Sequence, residues 1–550
     1  MKSVFKKRTQ GKKGVPALIL AAALLAGCGG NSPSPVSPQT DSQGQTPSQA
    51  SPSGSAQAEE SFYPVSKDKI TVTYWVPLHN NAAKAVGNYG EIEYYKRLEE
   101  LTNVHIEFTH PAAGQEKELF NLMIASRELP DIVEGGWGNY GGSIYKAYDD
   151  GLIVSLNSLL DEYAPHFRDF ITADPEIEKL MRNDDGQILA FTQVRTVKTA
   201  SQGPVVRKDW LDELGLPVPE TLDDWHAMLT AFKEQKKAPI PFIGDKGFID
   251  NTAFLGAYGI GGTFYVENGE VRYGKLQPEY REYLKLINQW YEEGLIDPEF
   301  ASNTTKTIDA KFTTDEVGSY FGYLGGGFTN YLNLYRDSNP NFNIEGVPYP
   351  VLNKGDVRDF GNFYDYTGLS GGAAISSTSK YAKEIAKMFD YHYTEQGILE
   401  GNFGYEGVTY ELVDGKPVLS DTVLKNPEGL SYTHVMSKYN RASANGITEY
   451  SYDYFLQVLS FRQQKEALAL WSTVQKTKAL PTLSFTSEET EITSQKLSEI
   501  NTYNDEMIIQ FVMGKTSLDK YDSYVEQLDK LGIQEVLKVY QQAYERFLKR

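Results

Sequence analysis

The chain has 550 residues, of which 40% are hydrophobic, and a formal net charge of −20 at pH 7. This acidic balance argues against a nucleic-acid-binding protein, which needs a basic surface, and against electrostatic docking on anionic lipid. The single cysteine excludes disulfide bonds within the chain and cysteine-rich zinc or iron–sulfur sites.

The N-terminus has the pattern of an export signal. Residues 1–14 are basic, and residues 15–26 form an apolar run that is too short for a stable transmembrane helix. Leu25-Ala26-Gly27-Cys28 follows and resembles a bacterial lipobox, which implies cleavage before Cys28 and lipidation of its thiol. We therefore expect an exported protein, anchored by lipid to the extracytoplasmic face of the cell membrane. The alternative is a buried or reactive thiol after a short core helix.

The segment after Cys28 is predicted to be a linker. Residues 29–60 are rich in Ser, Pro and Gln and contain no aromatic residue, Leu or Ile. Such a composition cannot bury enough apolar surface to offset the conformational entropy that folding costs. We expect it to hold the folded body near the membrane.

The folded body opens with an alternation of strands and helices. Strands are predicted over 70–76, 104–108 and 131–133, where apolar residues alternate or run together. Helices are predicted over 91–101 and over 116–129, the second ended by the proline that follows it. This order indicates an α/β unit with parallel strand pairing.

Later segments are predicted to be mainly helical. One helix ends at Gly215, and the next, over 221–232, begins at Thr221 with Asp224 in the position of a capping box. The C-terminal third is dominated by helices. One of them has a single apolar face and ends at Gly532; that face comprises Tyr521, Tyr524, Val525, Leu528 and Leu531.

Two glycine motifs match enzyme signatures only formally. Residues 136–141 fit G-x-G-x-x-G but follow the third strand, whereas a dinucleotide fingerprint follows the first. Residues 368–372 fit the nucleophile elbow G-x-S-x-G, but a strand rather than a helix is predicted directly after them. We expect no cofactor. We interpret the glycines of the first motif as allowing the backbone to approach a ligand, with Trp137 and Tyr140 as stacking faces, and the second motif as a glycine-rich turn.

Aromatic residues make up 13% of the chain and cluster with Gly, Asn and Asp. A tyrosine side chain combines a flat apolar face with a hydroxyl group, which suits the C–H faces and hydroxyl edges of sugars. For the set of clusters we favour a saccharide-binding surface, whereas for any single member we favour a role in the core or as a loop anchor. They lie at 133–142, 318–331, 360–368 and 401–410.

Several segments resemble the family 1 extracellular solute-binding proteins of the LipO lipoprotein type. Besides the lipobox, they are ELPDIV (128–133), DGLIVSLNSLLDEYAP (150–165), VVRKDWLDELGLPVPETLDDW (205–225), YLKLINQWYEEGLIDPEF (283–300), SGGAAISSTSKYAKEIAKMFDY (370–391) and 507–544. The resemblance implies a type II periplasmic-binding-protein-like fold, with two α/β lobes joined by a hinge and a helical C-terminal region. It also implies a carbohydrate, expected to be an oligosaccharide, held between the lobes and delivered to an ABC-type importer.

The resemblance suggests an organisation in six parts. These are a signal peptide (1–27), the lipidated cysteine and linker (28–60), the first part of lobe 1 (61–192), the first part of lobe 2 (193–364), a return to lobe 1 (365–412) and a C-terminal helical part, mainly in lobe 2 (413–550). Relatives often carry an acidic, calcium-type loop after the helix that matches 221–232. Residues 233–242 lack acidic clustering, so we expect no metal site.

A ligand between two lobes is expected near the carboxyl ends of their strands. Trp137 and Tyr323 are expected to supply stacking faces from opposite lobes, and Gln193 and Arg195 lie at the first crossover between the lobes. The other candidates are Trp75, His79, Asn139, Tyr140, Asp245, Phe248, Phe321, Asp365, Tyr366, Tyr405 and Glu406.

The preferred interpretation is a binding protein, not an enzyme, that works as a monomer with a membrane permease and binds no nucleic acid. Two alternatives remain open. One is an exported glycoside hydrolase or lyase, because abundant carboxylates always permit a catalytic pair. The other is a receptor for peptides or metabolites with the same fold.

Overall fold

The structure, a computed structural model, describes residues 62–140, 143–251, 253–335, 338–364, 371–426 and 430–550. The predicted signal peptide, Cys28 and the predicted linker lie outside these residues. The described strands are β1 Ile70–Trp75, β2 Val104–Thr109, β3 Ile132–Glu134, β4 Gln193–Val194, β5 Thr199–Arg207, β6 Ile240–Ile243, β7 Phe264–Glu267, β8 Glu270–Tyr273, β9 Val317–Tyr323, β10 Ile344–Gly346, β11 Asn362–Tyr364, β12 Ala373–Ile375, β13 Tyr410–Val413, β14 Lys416–Leu419 and β15 Thr448–Glu449.

Helices surround these strands and dominate the C-terminal third. The described α-helices are α1 Glu93–Thr102, α2 Glu116–Ser126, α3 Ile144–Asp149, α4 Leu160–Tyr163, α5 Pro165–Thr172, α6 Pro175–Met181, α7 Lys208–Leu214, α8 Leu222–Glu234, α9 Pro278–Glu292, α10 Thr305–Phe312, α11 Gly327–Tyr335, α12 Ala382–Asp390, α13 Glu395–Phe403, α14 Asp421–Leu424, α15 Tyr432–Met436, α16 Tyr452–Val458, α17 Arg462–Trp471, α18 Ser487–Val512, α19 Tyr521–Lys530 and α20 Ile533–Lys549.

The first lobe is built on a four-stranded sheet with the order β12-β3-β1-β2. β1 pairs in parallel with β2 and β3, whereas β12 runs antiparallel to β3. The predicted strands and helices of this region are confirmed, with boundaries that differ by one to three residues. α2 ends three residues earlier than predicted because Arg127, not Pro130, terminates it in a left-handed conformation with φ 58°.

The second lobe is built on a sheet with the order β10-β5-β9-β6, to which β11 adds by pairing with β5. β9 is antiparallel to β5 and parallel to β6. Two hairpins, β7–β8 and β13–β14, lie outside the main sheets. The capping box predicted at Thr221 and Asp224 is present, and Gly215 adopts φ 64° after α7 as predicted.

Two short parallel strands, β4 and β15, pair where the chain crosses between the lobes. The chain later returns to the first sheet at β12, inside the segment predicted to return to lobe 1. Phe403 and Tyr410, however, pack in one core with Val205 and Tyr320 of the second sheet. The part of 365–412 that packs with the first lobe therefore ends before Phe403, and the other predicted boundaries stay predictions.

The long C-terminal helices complete the second lobe. α18 begins with a capping box between Thr486 and Glu489 and packs between α9 and α20. The predicted apolar face of α19 is confirmed, because Tyr521, Tyr524 and Leu528 are buried in the same core as α9. Gly532 follows with φ 93°, which allows the chain to turn into α20.

A buried ion pair ties the first lobe to the C-terminal segment. The Arg441 guanidinium donates to both carboxylate oxygens of Glu134, at 2.5 and 2.9 Å, and each side chain is only 5% exposed. Arg441 also donates to the Tyr95 hydroxyl at 2.9 Å, and the Tyr74 hydroxyl donates to Glu134. The ring centroid of Tyr89 lies 4.2 Å from the guanidinium carbon. This density of partners offsets the cost of removing both charges from water.

Replacing Glu134 by Gln keeps the shape of the side chain but leaves the Arg441 charge unbalanced inside the protein. We expect Glu134→Gln to lower the free energy of unfolding by about 3–5 kcal/mol, measured by urea denaturation. Asp421→Asn is the matched control, because its ion pair with Lys425 is exposed on both sides and contributes at most about 1 kcal/mol. Equal effects of the two substitutions would contradict this account.

Candidate functional site

A cleft of about 360 Å³ lies between the two lobes. The first lobe contributes residues that follow β1, and the second lobe contributes residues from the end of β9 and the start of α11. The crossover after β4 and the C-terminal segment around α15 and β15 form the remaining walls. The cleft thus lies at the carboxyl ends of strands from both sheets, as binding sites in α/β proteins generally do.

The first-lobe wall consists of His79, Asn81 and Lys84. His79 is held from both sides, because its backbone N–H donates to the Tyr89 hydroxyl at 3.0 Å and its Nδ1 accepts from the Asn81 backbone N–H at 3.2 Å. This acceptor role assigns the proton of the neutral ring to Nε2. Burial, and then the charge of Arg441, lowers the pKa of His79, so the neutral ring dominates at pH 7.

The second-lobe wall centres on Tyr323, the last residue of β9, whose side chain is 53% exposed. Gly325 and Gly326 follow it, and α11 then presents Thr329 and Asn330 to the cleft. The Thr329 hydroxyl accepts a hydrogen bond from Gln464 at 2.9 Å, which ties this wall to the C-terminal helices. An aromatic face beside an amide and a hydroxyl matches the apolar and polar surfaces of a sugar.

The wall at the crossover is formed by Arg195 and Tyr450, which stack on each other. The guanidinium carbon of Arg195 lies 3.8 Å from the ring centroid of Tyr450, which follows β15. Gln193 does not line the cleft, but its Nε2 donates to the backbone oxygens of Ala442 and Gly446 at 3.3 and 3.4 Å. Gln193 therefore supports the turn that carries the adjoining part of the wall.

The fourth wall is the start of α15, where Ser431, Tyr432, Thr433 and His434 reach the cleft. Burial lowers the pKa of His434, and the ammonium group of Lys84 on the first lobe lowers it further. This wall supplies hydroxyl groups and a neutral imidazole next to a cation from the opposite side.

Three of the predicted site residues, His79, Arg195 and Tyr323, come together in the cleft. His79 was predicted from its position after the first strand, Arg195 from its position at the crossover, and Tyr323 from the aromatic cluster at 318–331. In the structure each of them follows a strand or ends one. Asp365 and Tyr366 lie outside the described residues. The remaining candidates are placed elsewhere.

Trp137 is a core residue, which corrects the expectation of a solvated stacking face. Its indole is fully buried, packs edge-on against Phe120 at a centroid distance of 5.5 Å and donates to the Gly372 oxygen at 3.1 Å. Trp75 packs against the same Phe120 ring and is 6% exposed. Gly136 explains the local motif, because a Cβ atom there would lie 2.5 Å from that ring. The glycine serves close packing rather than phosphate binding.

Two aromatic candidates in other segments are also buried outside the cleft. Phe248 packs against Phe242 and Phe300 in the second-lobe core. Tyr405 is 6% exposed, and the guanidinium of Arg97 lies 3.5 Å from the centre of its ring. Other protein groups therefore cover the ring faces that were expected to contact a ligand.

The other candidates also lie outside the lining of the cleft. Asp245 caps a short 3₁₀ helix by accepting from the Gly247 N–H at 2.8 Å. Phe321 is half-buried against Tyr349, and the hydroxyl of half-buried Tyr140 donates to Asp150. Asn139 and Glu406 are exposed.

The sequence reasoning missed the contributions of Lys84, Asn330, α15 and Tyr450. Lys84 lies five residues after His79, so the same strand-end rule could have found it. α15 and Tyr450 come from the C-terminal segment, where no local pattern indicates which lobe or surface the chain will reach.

The described part of the chain contains no group of three or more His, Cys, Asp and Glu side chains arranged to hold a metal ion. The absence of a metal site nevertheless stays a prediction. Within the same residues, no helix combines the length and the apolar composition needed to cross a bilayer.

The family is shown by the sequence itself. The sequence profile of the bacterial extracellular solute-binding proteins matches residues 82–398, which is more than half of the chain. The chain belongs to this family. The predicted family and the predicted two-lobed α/β fold are thereby confirmed, and solved structures support the fold as well.

Two relatives and one solved structure illustrate the similarity. The chain is 29% identical over 332 residues to the fructooligosaccharide ABC transporter substrate-binding protein FusA of Streptococcus pneumoniae serotype 4 (strain ATCC BAA-334 / TIGR4), covering 57% of this chain and only 59% of FusA. It is 24% identical over 478 residues to lipoprotein LipO of Bacillus subtilis (strain 168), covering 82% of this chain and 88% of LipO. A crystal structure of the alginate-binding protein AlgQ2 without calcium ion is 26% identical, with a TM-score of 0.74 over 88% of this chain and 99% of AlgQ2.

Trp137 and Tyr323 are both predicted from the sequence to be stacking faces, but their substitution should affect the free energy of unfolding differently. Trp137→Ala removes a fully buried indole and should lower the free energy of unfolding by about 3–5 kcal/mol. Tyr323→Ala removes a largely exposed ring and should change it by less than about 0.5 kcal/mol. Urea denaturation of the ligand-free proteins measures both values. A Trp137→Ala protein as stable as the parent would return Trp137 to the list of ligand contacts.

Proposed function

We propose that this protein captures an oligosaccharide in the cleft between its lobes and delivers it to an ABC-type importer. The observation that carries the proposal is the composition of the cleft, where Tyr323, Tyr432 and Tyr450 are combined with amide and hydroxyl groups from both lobes. Aromatic faces and hydrogen-bonding groups are the two requirements of a sugar ligand. FusA, a fructooligosaccharide-binding protein, and AlgQ2, an alginate-binding protein, support this class of ligand.

Capture follows from the placement of the binding groups on both lobes. A ligand shifts an open–closed equilibrium only as far as it binds the closed form more tightly. A sugar that contacts Tyr323 on one lobe and His79 on the other makes its full set of contacts only when the lobes approach. Closure would then present a liganded form that the importer can distinguish from the empty one.

The proposal includes the absence of catalysis. Hydrolysis of a glycosidic bond ordinarily needs two carboxyl groups on either side of the bond. Among the described residues that line the cleft, none is Asp or Glu. The family is one of binding proteins, which supports the same conclusion.

Binding is tested by isothermal titration calorimetry against a panel of neutral and acidic oligosaccharides. Tyr323→Ala should weaken binding by about 5- to 150-fold, the range expected when a buried aromatic contact worth about 1–3 kcal/mol is lost. Leu412→Ala, which removes a 49% exposed side chain outside the cleft, is the control and should leave affinity unchanged. Chromatography of the recovered ligand should show it intact; products of cleavage would favour the hydrolase or lyase alternative.

We also propose that the protein is a monomer and that Cys28 carries a lipid anchor at the extracytoplasmic face of the membrane. The lipobox-like sequence and the lone cysteine support the anchor. Cys28→Ser should release the protein into the medium or leave its signal peptide uncleaved, as seen by fractionation and mass determination. A processed Cys28→Ser protein that stays with the membrane would refute the anchor, and size-exclusion chromatography with light scattering tests the monomer.

A further inference from the structure

The charges that line the cleft are opposite to the charge of the protein. The chain has a net charge of −20, yet the described lining residues include Lys84, Arg195, His79 and His434 and no carboxylate. The protein is acidic as a whole, but the described residues of its cleft include cationic side chains and hydrogen-bond donors. Such a surface raises the local concentration of anions and repels none of them.

Lys84 is the most informative of these groups. Its side chain forms no salt bridge with any residue that the structure describes, and it lies close enough to His434 to lower the pKa of that imidazole. In contrast, Arg441 and Arg207, which are both buried, each bond to carboxylates. The Lys84 ammonium disfavours a positive charge on His434, and an anion bound between the two groups would interact favourably with both.

Two carboxylates close to this surface in the chain have partners other than the cleft cations. Glu134 is buried and is bound by Arg441. Glu449, next to Tyr450, accepts a hydrogen bond from Thr196 at 3.1 Å, and burial raises the pKa of its carboxyl group. Neither residue is among the described residues that line the cleft.

The remaining lining groups complete a site for an anionic sugar. The guanidinium of Arg195 is held flat against Tyr450, and a planar guanidinium is well matched to carboxylate and sulfate oxygens. The Nε2–H of His79 and the hydroxyl groups of Ser431 and Thr433 are further donors on two walls. Tyr323 offers an apolar ring face to the sugar itself.

We propose that the ligand is an acidic oligosaccharide, whose carboxylate or sulfate group binds to Lys84 and His434 while its sugar ring stacks on Tyr323. This inference rests on the proposed function and narrows it to one substrate class. Lys84 and His434 carry the argument, because they come from two different walls that contact each other, and neither side chain forms a salt bridge with a described residue.

The test compares acidic oligosaccharides with neutral counterparts of the same backbone. Calorimetry would use di- to tetrasaccharides of pectin and alginate, the same sugars with their carboxyl groups reduced to alcohols, sulfated galactan oligosaccharides with their desulfated forms, and neutral fructo- and gluco-oligosaccharides. We expect at least one acidic sugar to bind tenfold or more tightly than its neutral counterpart. Raising NaCl from 50 to 500 mM should weaken only the acidic sugar, because salt screens the charge interaction. Comparing carboxylated with sulfated sugars shows which of the two anionic groups the cleft binds.

Variants identify the residues responsible. Lys84→Gln and His434→Gln should each weaken the acidic sugar about tenfold or more, and leave the neutral counterpart within about twofold. Lys117→Gln is the matched control, since Lys117 is an exposed lysine of the first lobe that lies outside the cleft. Its affinity for either sugar should not change. Because Lys84 is exposed, thermal melting should show that its variant folds normally.

Three other results are possible, and each of them would contradict a different part of the proposal. Tight binding of a neutral sugar with no gain from an added acidic group would overturn this inference and leave the proposed function intact. Preference for an acidic sugar that survives both substitutions would overturn the assignment to Lys84 and His434. If no sugar of either kind binds to the folded protein, the proposed function and this inference both fail.

Discussion

The ion pair between Glu134 and Arg441 is the interaction on which the cleft depends. Glu134 ends β3 in the first sheet, and Arg441 begins the turn that leads to β15, so one buried contact fixes the C-terminal segment against the first lobe. The same guanidinium lies against Tyr89, whose hydroxyl accepts the backbone N–H of His79. The positions of two walls are thereby set by a single charge pair behind them, and Gln193 secures the same turn from the crossover.

The residues that hold the cleft in shape are different from the residues that face a ligand. Glu134 and Arg441, which hold the cleft, are buried and bonded to each other, whereas Tyr323 and Lys84 are exposed. A binding surface must lose water when its ligand arrives, so its groups stay accessible until then. Buried Phe, Tyr and Trp side chains make up most of the aromatic residues of the chain, and they lie in the cores of both lobes.

The sequence was informative about elements and less so about surfaces. The strand and helix order of the first lobe follows from periodicity and caps, and the apolar face of α19 follows from spacing alone. Trp137 shows the limit of such reasoning, since a tryptophan among glycines is compatible with a ligand platform or with a close-packed turn. Only the position of Phe120 distinguishes them. The predictions that Phe248 and Tyr405 contact the ligand were wrong for the same reason. Whether a side chain is buried depends on segments that are distant in sequence.

The site residues that were predicted correctly share a position that the structure makes clear. His79, Arg195 and Tyr323 follow or end strands whose direction the fold determines, so the chain itself brings them to the cleft. The end of the first strand was not a sufficient signal, because it also indicated Trp75, which is buried. α15 had no comparable signal. Its hydroxyl groups and His434 reach the cleft only because the C-terminal segment crosses back between the lobes, and helical periodicity carries no information about that path.

The pairing of β4 with β15 gives the stacked Arg195 and Tyr450 a special position. Both residues directly follow or lie next to these strands, at the crossover about which the two lobes are connected. In a rigid-body rotation, displacement grows with distance from the axis. If the lobes close about this crossover, as the proposed function requires, the stacked pair would move less than Tyr323 and Lys84. The stack would then contribute similarly to the open and closed forms, and the preference for closure would come from groups further from the axis.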